Sequence, residues 1–308
     1  MQTCLRIGTR GSPLALYQAR EVAARLAALL GRGPEEAAEI VVIKTTGDRV
    51  QDRNLSELGG KGLFTKEIEE ALLTGEIDLA VHSMKDMPST LPGGLVIDCL
   101  LEREDPRDAF LSHTAHSLAE LPKGAVVGTS SLRRAAQIRA KRPDLSIVPF
   151  RGNVETRLAK LERGVADATL LAMAGLNRMA LTHHARGPVS TDDMLPAVAQ
   201  GAIGVERREN DARIGDLLAK LHHAETGFRV EAERGLLRVL DGSCRSPIAA
   251  LAELKGERLI LRGMLLTPDG SKVLDVTREG LAHDARLMGE DAGLDLKRRA
   301  GPEFFAGG

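Results

Sequence analysis

The sequence predicts an α/β chain: two successive units of alternating strands and helices, followed by a smaller α+β unit. Three observations carry this. Over the first two thirds, short apolar runs alternate with segments of helical periodicity, the pattern of mostly parallel sheets with helical crossovers. Over the last third, residues 248–254, 259–266 and 272–278 form apolar runs joined by Lys-Gly-Glu and Pro-Asp-Gly turns, which marks an antiparallel sheet. The length, 308 residues, is that of about two domains or three small ones.

In order along the chain, residues 5–7 form a strand, and Ser12 caps a helix with Pro13 in its first turn that runs to about Leu30. Residues 40–45 form a strand. Residues 47–62, polar and ending in glycines, read as a long loop that covers a site as a lid. A helix over 63–73 and strands over 78–81 and 96–101 complete the first unit. The second has strands over 125–127, 146–149 and 168–172, with helices over 131–142 and 154–163 between them. The last unit adds helices over 223–240 and 283–299 around its three strands. The segment starting at Ile7, IGTRGSPLALYQAR, is echoed from Val127 by VGTSSLRRAAQIRA. Each is a strand, Gly-Thr, small polar residues and a helix.

Composition excludes several classes. Lys+Arg is 42 against Asp+Glu 43, a balance unsuited to coating nucleic acid. Aromatics are 2%, with no Trp, too few to stack single-stranded bases. No run reaches the ~18 apolar residues of a membrane span. The opening MQTCLRIGTRGSPLAL has no apolar core of a secretory signal. Three cysteines, Cys4, Cys99 and Cys244, are an odd number in a long chain, as in a reducing compartment. The expectation is a cytoplasmic protein with no nucleic-acid or membrane partner.

The chemistry-bearing residues cluster after strands. Arg10 precedes the Ser12 cap. Arg133 and Arg134 lie in the first turn after Thr129, Ser130 and Ser131, while Arg151 sits in Phe-Arg-Gly152-Asn with Arg157 one turn into the next helix. A helix N-terminus is already partly positive, so cations there imply an anion that supplies the missing charge. The plain alternative for each arginine is a solvated surface side chain; for the set, at equivalent strand-to-helix turns, an anion site is the better account. His82-Ser83-Met84-Lys85-Asp86 places an ammonium and a carboxylate at a strand end, which is either acid–base and electrostatic chemistry or a surface ion pair. Cys244, in Asp-Gly-Ser-Cys-Arg-Ser-Pro, is placed for an exposed, reactive thiol, whereas Cys4 and Cys99, in or beside apolar strands, read as core. The pairs His183-His184 and His222-His223 lack ligands at metal spacing, so no metal is expected. Gly59–Gly62 is not a phosphate loop, because Gly62 replaces the hydroxyl residue after Lys61. Two classes remain on these grounds: an enzyme acting on a polycarboxylate, and a non-catalytic clamshell protein that binds one.

Nine motifs decide between them: LRIGTRGSPLAL, GGKGLFTKEIE, DLAVHSMKDMP, EREDPRDAF, VGTSSLRRAAQ, RGNVETRL, AGLNR, LPAVAQGAIGVE and DGSCRSPIA. In this order and spacing, from about Leu5 to the Lys272 region, the chain resembles the porphobilinogen deaminase (hydroxymethylbilane synthase) family. The resemblance implies two domains like type II periplasmic binding proteins, residues 1–101 with 202–219 and residues 107–195, and a third, 223–308, carrying the cysteine. It implies a monomeric transferase of porphyrin, tetrapyrrole and heme biosynthesis that joins four porphobilinogen molecules head to tail, releases ammonia, and frees hydroxymethylbilane by hydrolysis. It implies a dipyrromethane cofactor, thioether-linked to Cys244, with Asp86 as the catalytic carboxylate. Lys85, Ser83, Thr129, Ser131, Arg133, Arg134, Arg151 and Gly152 match the family's cofactor contacts. Arg10, Ser12, Arg151, Arg157, Arg178, Gln200 and Lys61 match its substrate contacts. One departure stands out: Glu57 precedes the Gly-Gly-Lys-Gly motif where many members carry Lys.

Overall fold

Leu5 and Ile7, buried apolar side chains on one face with buried Thr9 next in line, fix the first strand, Leu5–Thr9 (β1). Thr9 is followed by a turn in which the Ser12 side chain accepts from the Ala15 N–H at 3.3 Å, capping the helix Pro13–Leu30. The other strands are Ala38–Val42 (β2), Leu79–Ser83 (β3), Leu95–Leu100 (β4), Asp108–Ser112 (β5), Val126–Gly128 (β6), Ser146–Val148 (β7), Ala168–Ala172 (β8), Gly187–Pro188 (β9), Ile203–Arg208 (β10), Ile248–Lys255 (β11), Arg258–Leu266 (β12) and Val273–Leu281 (β13). The computed structural model describes residues 4–49, 64–240 and 247–306. Of the segment read as a lid, residues 47–49 lie in a short helix, Thr46–Arg49, and the rest lies outside the described residues.

The strands form three sheets, in the orders β2-β1-β3-β10-β4, β7-β6-β8-β5-β9 and β11-β12-β13. In the first, β1 runs parallel to β2 and β3, and β10 runs antiparallel between β3 and β4. In the second, β6 runs parallel to β7 and β8, and β5 runs antiparallel between β8 and β9. The two orders are the same if β5 stands for β10. The repeated Gly-Thr segments begin at β1 and β6, so the echo falls on equivalent central strands.

The sheets are therefore mixed, not mostly parallel as the alternation suggested. The difference lies in β5 and β10, which the sequence did not announce. β5 is fully buried and lies against a charged approach, and β10 turns from apolar to charged halfway, so neither shows period-two alternation.

The chain divides into two compact units, Met1–Arg103 with Ala202–Gly227, and Glu104–Gly201 with Phe228–Gly308. In the first, helix Pro13–Leu30 covers one sheet face through Val22 and Leu26 against Ile7, Val81 and Val205. Helix Lys66–Leu73 covers the other through Ile68 and Leu72 against Ile77 and Ala80. In the second, helix Leu132–Lys141 packs Ile138 with Val127 and Leu170, and helix Val154–Glu162 packs Leu158 and Leu161 with Leu111 and Leu171. The same unit contains the antiparallel sheet, against which helix Ala285–Ala306 packs on β12 and β13. The three expected strands there are present: β11 runs one residue further, β12 starts one residue earlier, and β13 starts one residue later and runs three further.

Candidate functional site

In α/β sheets, ligands meet the carboxyl ends of the parallel strands. In the first unit, the edge where β1 and β3 end carries Arg10, Ser12, Ser83, Lys85 and Asp86. Adjacent pairing of β1 with β3 brings the two segments together. Gln18, one turn into the Ser12-capped helix, ties them: its Nε2 donates to Ser83 Oγ at 2.9 Å, and Ser83 Oγ donates to Gln18 Oε1 at 3.0 Å. The Arg10 guanidinium lies over the Phe64 ring, 4.2 Å from its centroid. After Ser83 the chain makes a single tight turn, Met84–Asp86. Buried Met84 anchors it, its N–H donating to Ala202 O at 3.0 Å, and Lys85 and Asp86 face solvent.

On β3, just before that turn, His82 belongs to a buried set the sequence reading missed. His82 Nε2 meets Glu206 Oε2 at 2.9 Å, both side chains being buried. Glu69, from helix Lys66–Leu73, is also buried, and its Oε1 and Glu206 Oε1 have no hydrogen-bond partner among the described residues. Burial, with the Glu206 charge adding to it, pushes the Glu69 carboxyl above its ordinary range. Acidic residues in a helix read as solvated from sequence, and the pairing to β10 depended on a strand that was not recognised.

In the second unit the corresponding edge is built by β6, β7 and β8. Thr129 Oγ1 accepts from the Ser131 N–H at 3.1 Å, and Ser131 Oγ caps helix Leu132–Lys141 by accepting from the Arg134 N–H at 3.4 Å. Arg151 and Gly152 follow β7. Gly152 has φ 119°, and a Cβ there would lie 2.5 Å from the Thr156 methyl, so only glycine fits. Asn153 caps the next helix, which carries Arg157. Arg178 ends helix Met173–Arg178 and donates from Nη2 to Gly201 O at 3.0 Å.

Arg133 and Arg134 are not solvated, and the anion beside them is the protein's own. Asp108, the first residue of β5, is completely buried. Its Oδ2 accepts from Arg133 Nη1 at 2.7 Å, and its Oδ1 accepts from Arg133 Nη2 at 3.3 Å, Arg134 Nη2 at 2.7 Å and Gln200 Nε2 at 2.9 Å. Burial alone would push the Asp108 carboxyl up; the Arg133 and Arg134 charges outweigh it and hold the carboxyl well below the usual carboxylate range. Arg133 Nη1 also donates to Leu195 O at 2.9 Å and Arg134 Nη1 to Leu170 O at 2.8 Å. The Nε–H of each arginine is buried and has no partner among the described residues. The motif Asp-Pro-Arg-Asp was visible in the sequence, but its last residue signals nothing until β5 brings it to the helix.

Of the sequence-derived candidates, one group therefore gathers at the first sheet's edge and another at the second's, while Cys244 and Lys61 lie outside the described residues. Cys99 is buried as expected, but Cys4 is exposed, because it precedes β1 and does not lie on the strand's buried face. By sequence, Cys244 falls between helix Ala224–Leu240 and β11. Among the described residues, no group of three or more His, Cys, Asp or Glu could hold a metal, and no helix is long and apolar enough to cross a membrane.

A family model described as porphobilinogen deaminase, dipyromethane cofactor binding domain, matches residues 5–216, and one for the porphobilinogen deaminase C-terminal domain matches residues 228–298. The chain is 62% identical over 304 residues to a porphobilinogen deaminase of Paracoccus denitrificans, covering 99% of this chain and 97% of that one. It is 55% identical over 306 residues to the chloroplastic porphobilinogen deaminase of Oryza sativa subsp. japonica, covering 98% and 85%. Among solved structures, it is similar to a putative methionine-binding lipoprotein of Bacillus subtilis, at 14% identity and a TM-score of 0.44, covering 73% and 92%. The chain belongs to the porphobilinogen deaminase family.

Proposed function

We propose that this chain builds hydroxymethylbilane from four porphobilinogen molecules, joined head to tail on a dipyrromethane primer that Cys244 holds as a thioether, and releases the product by hydrolysis. Porphobilinogen deaminase activity, a transferase reaction of tetrapyrrole biosynthesis, comes with the family; the thioether and the residue roles are our inference. The observation that carries the reading is the buried Arg133–Arg134–Asp108 set. Two guanidiniums and one carboxylate leave one positive charge, and two N–H groups lack acceptors. That arrangement fits a ligand rich in carboxylates, and each pyrrole of the substrate and primer carries an acetate and a propionate.

In each condensation the aminomethyl C–N bond of porphobilinogen breaks and nitrogen leaves as ammonia with a proton. The azafulvene cation left behind accepts an electron pair from the free α-carbon of the waiting pyrrole, which then gives up its proton. When bound, the dipyrromethane group supplies the first such α-carbon. Asp86, exposed on its turn, faces the pyrrole N–H groups and stabilises the cation most as its charge develops, which lowers the barrier. Lys85 and Ser83 hold the primer's side of the site. Arg10, Arg151, Arg157 and Arg178 take pyrrole carboxylates, with Lys61 from the segment before Phe64 and Gln200 beside Asp108. Ser12, Thr129 and Ser131 each accept a backbone N–H, which leaves their own O–H groups to donate to carboxylate oxygens. We further read the chain as three domains, residues 1–101 with 202–219, residues 107–195 and residues 223–308, each with its own sheet, and the protein as a cytoplasmic monomer.

Intact-mass measurement tests the thioether. The purified protein is expected to exceed its chain mass by one dipyrromethane unit, and Cys244→Ala to have the bare chain mass and no turnover. A bare mass in active enzyme, or full activity in Cys244→Ala, refutes it.

A further inference from the structure

We propose that Asp108 is a positioning residue for the reaction: its carboxylate orients the Arg133 and Arg134 guanidiniums and holds their combined charge at +1, so that the set takes one pyrrole carboxylate. The proposal rests on the reading that these arginines face pyrrole carboxylates. No motif singled Asp108 out as a candidate site residue, and only the antiparallel placement of β5 makes it one. Asp108 pairs in register with Ala172, the last residue of β8, so its side chain starts at the ligand edge of the sheet.

Position and charge are both set here. Adjacent residues on a helix point their side chains about 100° apart, so Arg133 and Arg134 have no intrinsic reason to converge. Asp108 makes them converge, with one oxygen shared between Arg133, Arg134 and Gln200 and the other taken by Arg133. The Leu170 and Leu195 carbonyls hold the far sides of the two forks. Every one of these partners is fixed in the fold, so the guanidinium planes are preset before a ligand arrives. Two adjacent guanidiniums without Asp108 would carry +2 in a buried place and repel each other. With it they carry +1, and their buried Nε–H groups remain as donors for one more acceptor. Among the described residues no second carboxylate bonds to either guanidinium. A single carboxylate completes the balance; a second would leave the set negative.

Two substitutions separate charge from geometry. Asp108→Glu keeps the charge and moves it by one methylene; Asp108→Asn keeps the shape and removes the charge. Each is made in the full chain, its primer content read by intact mass, and porphobilinogen kinetics measured across a range of ionic strength. For Asp108→Glu we expect the wild-type dependence of KM on salt, with primer loading or kcat reduced about tenfold or more, because the forks are misaimed. For Asp108→Asn we expect a steeper dependence of KM on salt, since the set now carries +2. A merely structural carboxylate would leave the salt dependence unchanged in both. Folded, loaded variants with wild-type KM, kcat and salt dependence overturn the proposal. Should Asp108→Asn not fold, the double variant Asp108→Asn/Arg134→Gln, which returns the set to +1, is expected to recover the fold, and its failure to do so also overturns the proposal. Failure of the underlying reading shows separately: Arg133→Gln with wild-type KM and loading removes the arginine from ligand binding.

Discussion

The first two sheets have one strand order and one way of launching a helix, yet they place their carboxylates oppositely. In each, a central strand with Gly-Thr at its end leads to a serine that caps the next helix. After Ser12 come Pro13 and Leu14, and the tie to the next strand end is neutral, Gln18 to Ser83. After Ser131 come Arg133 and Arg134, and the tie is ionic, to Asp108. The carboxylate of the first edge, Asp86, stands exposed on a turn; that of the second is sealed under two guanidiniums. An exposed acceptor keeps its lone pairs for a passing substrate. A sealed one has already used them, and acts only through the cations it orients. The frame is thus reused while the role is set by which charge the first helical turn supplies.

The comparison breaks most sharply at Asp86. Asp86→Asn keeps shape and an acceptor but loses the charge, so kcat is expected to fall by ~10²-fold or more with primer content unchanged. Asp86→Glu restores the charge about 1 Å out of place and is expected to be impaired, but less than Asn. Steady-state kinetics on variants whose mass shows full loading decides this. Near-wild-type turnover in Asp86→Asn would reduce Asp86 to a surface neighbour of Lys85.

The second edge is expected to fail differently, in binding and stability more than in turnover. Arg133→Lys or Arg134→Lys keeps a cation but cannot reproduce the planar fork toward Asp108 and a backbone carbonyl. Lost charge-assisted bonds are worth about 1.5–3 kcal/mol each, so denaturant unfolding should show a loss in that range together with incomplete primer loading. The matched change at the first edge, Gln18→Leu, removes only neutral bonds and is expected to cost about 0.5–1.5 kcal/mol. Equal losses at the two edges would mean that the ionic tie contributes no more than the neutral one.

How much of this was legible depends on where each signal lives. Local signals read well: the Ser12 cap with Pro13 behind it and strand Ala168–Ala172 stand where sequence placed them, and the helix expected over 131–142 spans Leu132–Lys141, with Ser131 as its cap. Strand ends drifted by a few residues, as with β2, which starts at Ala38 and stops at Val42, before the polar run that follows. The non-local parts were hidden. β5 and β10 are inserted antiparallel, and their burial on both faces erases the alternation that marks a strand. Asp108 and Glu206 ride on those two strands. The sequence reading assigned the arginines an outside anion because the inside one arrives on a strand with no signature of its own. The motifs carried the function through resemblance; the partners of those motifs required the fold.

The smallest expected effect concerns the buried carboxylates of the first unit, and its sign can be worked out. Glu69 is buried beside the His82–Glu206 pair, and burial pushes its carboxyl above the ordinary range. In the unfolded chain the same group ionises at an ordinary carboxylate pKa. Between that value and the raised one, the folded state therefore binds more protons than the unfolded state, and stability falls as pH rises across the window. Below the window the stabilising contribution is fully present; above it, the contribution is gone. Glu69→Gln has the same shape and does not titrate, so it should differ little from wild type in acid and become the more stable of the two as pH rises. A gain of order 1 kcal/mol would appear as about 2–4 °C in Tm. Carboxylates held low by arginines, such as Asp78 beside Arg6 and Asp105 beside Arg107, have the opposite pH dependence, but they are common to both proteins and cancel in the difference. The measurement is the difference in Tm between Glu69→Gln and wild type, followed from below the ordinary carboxylate pKa up to mildly alkaline pH. A difference that stays constant would show that Glu69 ionises in the fold as it does in the unfolded chain, and that its burial beside Glu206 carries no charge penalty.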